Sequence, residues 1–96
     1  MRKFYFISYD ITDDKRRNRV ARILLDYGER VQYSVFCCQV NKRELLKLQE
    51  SLKIEINNHE DQIIFLQAGM VQGQAPAPAL LSLGKSWKPE PRVQII

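Results

Sequence analysis

Apolar and polar positions along the first seventy residues fall into runs with two different periods. Phe4, Phe6, Ile7 and Ile11 flank Tyr5 and Tyr9, an aromatic and β-branched run that fits a half-buried strand from about Lys3 to Asp10. Thr12, Asp13 and Asp14 follow, a capping residue and two acids suited to the positive end of a helix. Val20, Ile23, Leu24 and Tyr27 then recur at the i, i+3, i+4, i+7 spacing of an amphipathic helix, predicting one from about Asp14 to Tyr27. Gly28 stands at the usual position for closing it.

Glu29 to Val40 is a second extended stretch, long enough for two short strands or one bent strand. Val31, Tyr33, Val35 and Cys37 alternate with Arg30, Gln32, Ser34 and Phe36, so Phe36 is out of step and marks either an exposed aromatic or a bulge. Asn41 with Glu44 three residues later forms a capping-box pattern ahead of a second helix, about Lys42 to Ile56. Leu45, Leu48, Leu52 and Ile56 trace its apolar face and Leu46 widens it. Asn57 to Asp61 reads as a loop, and Gln62 to Ala68 as a buried strand. Beyond Gly69 come Gly73, Pro76, Pro78, Gly84, Pro89 and Pro91, which predict an irregular arm for dimer or partner docking. Arg92 to Ile96 alternates as a short terminal strand that suits a partner's sheet edge.

Residues 1–69 are thus one folded core and residues 70–96 an arm with a terminal strand. The order β-α-β(β)-α-β predicts an α+β fold, the ferredoxin-like βαββαβ sandwich with an antiparallel sheet and two helices on one face.

Charge changes this picture. The net charge is +4, and residues 1–50 carry eleven Lys/Arg against seven Asp/Glu, whereas residues 51–96 carry four of each. All the excess positive charge lies in the first half, which points to a polyanionic partner. No segment approaches the roughly 18–20 apolar residues of a membrane span. Met1-Arg2-Lys3 leads into only a short apolar run, so a secretory leader is not expected and the cytoplasm is the expected compartment. The cysteines are adjacent, Cys37 and Cys38, which argues for packing and against a disulfide framework. The single histidine, His59, rules out a His/Cys zinc cluster; a metal here would be held by carboxylates and water, which suits magnesium or manganese.

The chain has no GxSxG, no Walker loop and no GxGxxG. What remains is Tyr9-Asp10 at a strand end, followed by Lys15, Arg16, Arg17, Arg19 and Arg22, then Arg30 and Phe36. Asp10 is either a turn-maker or a working group. One carboxylate makes a poor magnesium cage, but a two-fold axis could bring two copies of Asp10 to one ion, with arginines holding phosphates beside it. The plainer alternative is a solvated face, which applies most to Arg16 and Arg22. Arg17 and Arg19 lie nearer the Asp10 end. Phe36 becomes a base-stacking platform only if its ring is exposed.

Tyr9-Asp10-Ile11-Thr12-Asp13-Asp14-Lys15-Arg16-Arg17-Asn18-Arg19-Val20-Ala21, followed by Gly28-Glu29-Arg30-Val31-Gln32-Tyr33-Ser34-Val35-Phe36, resembles the CRISPR-associated Cas-two family. The match is strong over about residues 3–40 and one of pattern over 41–68. The resemblance implies a ferredoxin-like homodimer of the prokaryotic cytoplasm that takes part in spacer acquisition. In that role the family bridges an integrase (the Cas-one family) on protospacer duplex DNA. Many members are described as magnesium-dependent endonucleases acting on single-stranded RNA or double-stranded DNA. By this resemblance Asp10 is the catalytic, metal-associated carboxylate. Tyr9, Arg17, Arg19, Arg30 and Phe36 align with residues tied to activity or nucleic-acid contact, and Arg16 joins them on the basic helix. Three readings follow: a metal-dependent endonuclease of CRISPR adaptation, a non-catalytic scaffold in the same pathway, and a toxin-type ribonuclease of the VapD kind.

Overall fold

The aromatic run near the start of the chain forms strand β1 (Lys3–Asp10), which lies in the middle of a sheet. The structure is a computed structural model that describes residues 2–70 and 79–85. Helix α1 (Asp14–Leu25) follows, then β2 (Gly28–Gln32), β3 (Val35–Val40), α2 (Lys42–Glu55), β4 (Gln62–Met70) and β5 (Ala79–Gly84). The strands are ordered β2-β3-β1-β4-β5 and every neighbouring pair is antiparallel. The first four strands and both helices make the expected ferredoxin-like βαββαβ unit, and β5 extends it at the β4 edge.

Local chemistry accounts for the helix boundaries. Asp13 is the N-cap of α1 and its carboxylate accepts from the Arg16 backbone N–H, while Asp14 sits in the first turn. Asn41 and Glu44 complete a reciprocal capping box at the start of α2, as their spacing predicts.

The helices cover one face of the sheet. Ile7 and Tyr9 of β1, Phe36, Cys38 and Val40 of β3, and Ile63 and Phe65 of β4 meet Val20, Ala21 and Leu24 of α1 and Leu48 and Leu52 of α2 in one core. Each large apolar side chain buried there contributes about 1.5–3 kcal/mol. Leu46 does not widen the α2 face: it is half exposed.

Three expectations are corrected. Gly28 does not close α1, which ends at Leu25 with Asp26 as its cap; it opens β2 opposite Cys38. A Cβ at that position would lie 2.2 Å from the Cys37 carbonyl oxygen and 2.7 Å from Cys38 Sγ, so glycine is there for close approach of β2 to β3. Phe36 is neither exposed nor the bulged residue. It is fully buried, and the register shift falls at Val31, between Arg30 and Gln32. Lastly, residues 79–84, read from sequence as part of an irregular arm, form β5 and pair with this chain's own β4. The expected terminal strand Arg92–Ile96 lies outside the described residues.

The opposite sheet face carries no helix and is also apolar. Phe6 lies opposite both Cys37 and Leu66, and Ser8 lies opposite both Val35 and Ile64. Phe6 and Leu66 remain well exposed, and Asp10 belongs to this same face by alternation. No helix among the described residues is long and apolar enough to cross a membrane.

Candidate nucleic-acid and metal site

Asp10 ends β1 opposite Gln62, with its side chain exposed. The turn after it is built by other groups. Asp13 does the capping, and Arg17 folds back so that Nη1 donates to the carbonyls of Ile11 at 3.1 Å and Thr12 at 3.3 Å. Arg17 Nη2 also donates to the Asp14 carboxylate. The turn-making reading of Asp10 therefore loses its purpose, and its carboxylate has no ion-pair partner among the described residues.

The sequence-predicted arginines divide by what already holds them. Arg16 is committed: Nε donates to Asp61 Oδ2 at 2.7 Å and Nη2 to Asp61 Oδ1 at 3.1 Å, with Glu60 alongside. Asp61 is completely buried and also accepts from the Asn57 backbone N–H. The Asp61 carboxylate raises the Arg16 pKa above its ordinary value. Arg17 is a staple on the loop that follows Asp10, its charge favoured first by Asp14 and then by Tyr33. Arg19 Nε reaches Glu55 at 2.9 Å in a half-exposed pair between the helices. Such a pair is worth at most about 1 kcal/mol and can be exchanged for a phosphate. Arg30 has no carboxylate partner among the described residues. Its guanidinium lies over the rings of Phe36 and Tyr33, 5.2 Å and 5.9 Å from their centroids.

The two aromatic candidates are corrected. Phe36 has no exposed surface and Tyr9 only 5%, and their rings pack with centroids 6.2 Å apart. Neither can present a face to a base. They belong to the core behind the site, where Tyr9 Oη donates to the Tyr33 carbonyl at 3.4 Å.

The described residues of one chain do not by themselves fit a divalent ion. Among the described residues no three His, Cys, Asp or Glu side chains gather closely enough to hold one, and Asp10 offers its carboxylate alone. A magnesium or manganese site at Asp10 would need ligands from beyond these residues, such as a second copy of Asp10. A cleft lined by Lys3, Tyr5, Val40, Lys42 and Leu45 lies toward the other end of β1 and does not involve Asp10.

Two residues of this region escaped the sequence reading. Asp61 carried no local signal, because its partner is 45 positions away in the chain. Tyr33 did carry one: with Ser34 it forms the turn between two strands, a place where glycine, asparagine, aspartate or serine is usual and a bulky aromatic is not.

Comparison with known proteins bears on the whole arrangement. The family model described as CRISPR associated protein Cas2 matches residues 1–74. The chain is 39% identical over 82 residues to a Thermus thermophilus protein named CRISPR-associated endonuclease Cas2 2, covering 82% of this chain and 91% of that one. It is 46% identical over 61 residues to a Synechocystis protein named CRISPR-associated endoribonuclease Cas2 3, covering 64% and 66% of the two chains. Among solved structures, the hypothetical protein TT1823 from Thermus thermophilus superposes with a TM-score of 0.71 at 34% identity, over 82% of this chain and all of that one.

Proposed function

The chain belongs to the CRISPR-associated Cas2 family, and on that premise we propose that it binds nucleic acid as a homodimer and cleaves phosphodiester bonds in CRISPR adaptation. The observation that carries the reading is Asp10: an exposed carboxylate with no ion-pair partner among the described residues, on an apolar sheet face, at the end where the basic helix begins. An uncovered face bearing Phe6, Val35, Ile64 and Leu66 needs a cover, and a two-fold copy supplies the same patch to itself. Packing of these faces would bring two Asp10 side chains toward one another.

Asp10 is the residue that would hold magnesium or manganese, together with Asp10 of a second copy; such an ion supplies charge neutralisation and activation of water. Arg30, without a carboxylate partner among the described residues, offers positive charge for phosphate, with Arg19 available by exchange. Arg17 keeps the loop after Asp10 in place. The nuclease names of the relatives support the same reading.

One observation favours a second reading, that of a scaffold bridging the CRISPR integrase (the Cas-one family) on protospacer DNA: among the described residues Asp10 belongs to no cluster of metal-ligating side chains. Cleavage of labelled single-stranded RNA and duplex DNA, with magnesium titrated, separates the two. Asp10 is exposed, so Asp10→Ala should fold. Magnesium-dependent cleavage that disappears in Asp10→Ala while binding persists is the expected result. Binding without cleavage, or cleavage that the variant keeps, would leave the scaffold reading in its place.

A further inference from the structure

The most exposed aromatic ring among the described residues is that of Tyr33, with 73% of its surface open to solvent. It lies outside the hydrophobic core. It sits in the two-residue turn between β2 and β3, where a small polar residue would close the hairpin with less exposed apolar area.

The turn beneath it is held firmly. Tyr9 N–H donates to the Ser34 carbonyl at 3.1 Å, and Tyr9 Oη donates to the carbonyl of Tyr33 itself. Both anchors come from the residue that precedes Asp10, so the turn carrying the ring is held at the Asp10 end of the sheet. A ring presented from an anchored turn loses little freedom when something stacks on it. Positive charge lies beside it: the Arg30 guanidinium is 5.9 Å from the ring centroid.

An exposed aromatic ring beside a guanidinium matches one kind of ligand, a planar base on a phosphate backbone. A base inside a duplex has both faces occupied by its neighbours. We propose that Tyr33 is a stacking platform for an unpaired base, and that the site therefore engages single-stranded nucleic acid. This rests on the nucleic-acid-binding reading above and narrows its substrate class. The sequence made Phe36 a stacking platform only on condition that its ring be exposed, and that ring is buried; Tyr33 has the exposed ring that role requires.

The test is fluorescence polarisation at one fixed salt concentration with three probes of one sequence: single-stranded RNA, single-stranded DNA, and the blunt DNA duplex. Wild type is compared with Tyr33→Ala, Tyr33→Leu and Tyr33→Trp. Tyr33→Ala and Tyr33→Leu should weaken binding of a single strand by about 5- to 100-fold, leave the duplex within about twofold, and leave the melting temperature unchanged. Tyr33→Trp should restore the single-strand affinity. The single-strand probe that responds identifies RNA, DNA or both as the ligand. Unchanged single-strand binding in Tyr33→Ala, or equal losses on strand and duplex, would overturn the stacking role. Wild type binding the duplex but neither single strand would overturn it too, with the nucleic-acid reading intact. Wild type binding none of the three would remove that reading and this inference together.

Discussion

Arg16 and Asp61 meet through two parallel contacts, at 2.7 Å and 3.1 Å, and the carboxylate has no exposed surface. Asp61 also receives the Asn57 N–H on its side chain and the Lys85 N–H on its carbonyl. It thereby ties α1, the loop before β4 and the end of β5 to one residue. Gly84 stands against it because a Cβ there would come within 2.2 Å of the Asp61 carbonyl oxygen. Asp61→Ala strands Arg16 and the Asn57 amide. The expected loss is about 3 kcal/mol, the low end for breaking a buried pair, because the Arg16 side chain keeps 21% of its surface in water and rehydrates. Urea denaturation of the variant measures it. A loss under about 1 kcal/mol would mean the pair is as weak as a surface one.

The same contact decides which arginines respond to salt. Arg30 carries no competing carboxylate among the described residues, whereas Arg16 does. Arg30→Ala should reduce the magnitude of the log Kd against log salt slope by about 0.9 on duplex DNA, or about 0.7 on a single strand. Arg16→Ala should leave the slope alone and lower stability instead. The reverse pattern would place the phosphate contact on the helix and not on the hairpin.

How far the sequence revealed this arrangement depends on the range of each interaction. Elements set by local spacing were legible: β1 from its aromatic run, α1 from Val20, Ile23 and Leu24, and the α2 start from Asn41 and Glu44. Phe36 was misjudged because alternation was carried through the turn at Tyr33 and Ser34, and because both faces of β3 are apolar: Val35 and Cys37 point one way, Phe36 and Cys38 the other. Hydropathy alone cannot set the phase of such a strand. Gly28 was taken for a helix stop because nothing in the sequence shows the Cys37 carbonyl that crowds it. The Arg16–Asp61 pair is long-range, so composition could reveal the basic helix but not which of its charges were already spent. For the candidate site, the sequence names Asp10 and Arg30 by type and place, the structure leaves both without an ion-pair partner among the described residues, and Tyr33 was passed over.

Acid should weaken the protein through its two helix starts. The Arg16 backbone N–H, its foremost influence, holds the Asp13 carboxyl below the usual 3.8. Glu44 is held below the usual 4.5, first by the Asn41 backbone N–H and then by the Arg2 guanidinium. Both groups have lower pKa values folded than unfolded. Their contribution is therefore complete above about pH 4.5 and disappears as pH falls through the folded values, below 3.8 for Asp13. Glu44→Gln and Asp13→Asn keep the hydrogen-bonding shape without the titration. Urea midpoints from about pH 7 to about pH 2 should show wild type ahead of each variant at the upper end and level with it at the lower. A gap that persists at pH 2 would trace the difference to geometry and not to charge.

The two cysteines give a direct test of how the open sheet face is covered. Cys38 is fully buried in the core, and burial, followed by the neighbouring Cys37, pushes its thiol up to about 11. Cys37 points to the opposite face, opposite Phe6, where partial burial and then Glu29 raise its thiol pKa less far. A thiol reagent at about pH 8 should therefore leave Cys38 unmodified in the native protein and report on Cys37 alone. If two copies pack through the Phe6–Leu66 face, Cys37 is shielded in the dimer and labels faster on dilution, in step with dissociation measured by light scattering. Cys37→Ser should abolish native labelling, confirming the assignment. A labelling rate that stays constant while the mass falls from dimer to monomer would show that the copies associate elsewhere, and Asp10 would then have no second carboxylate facing it.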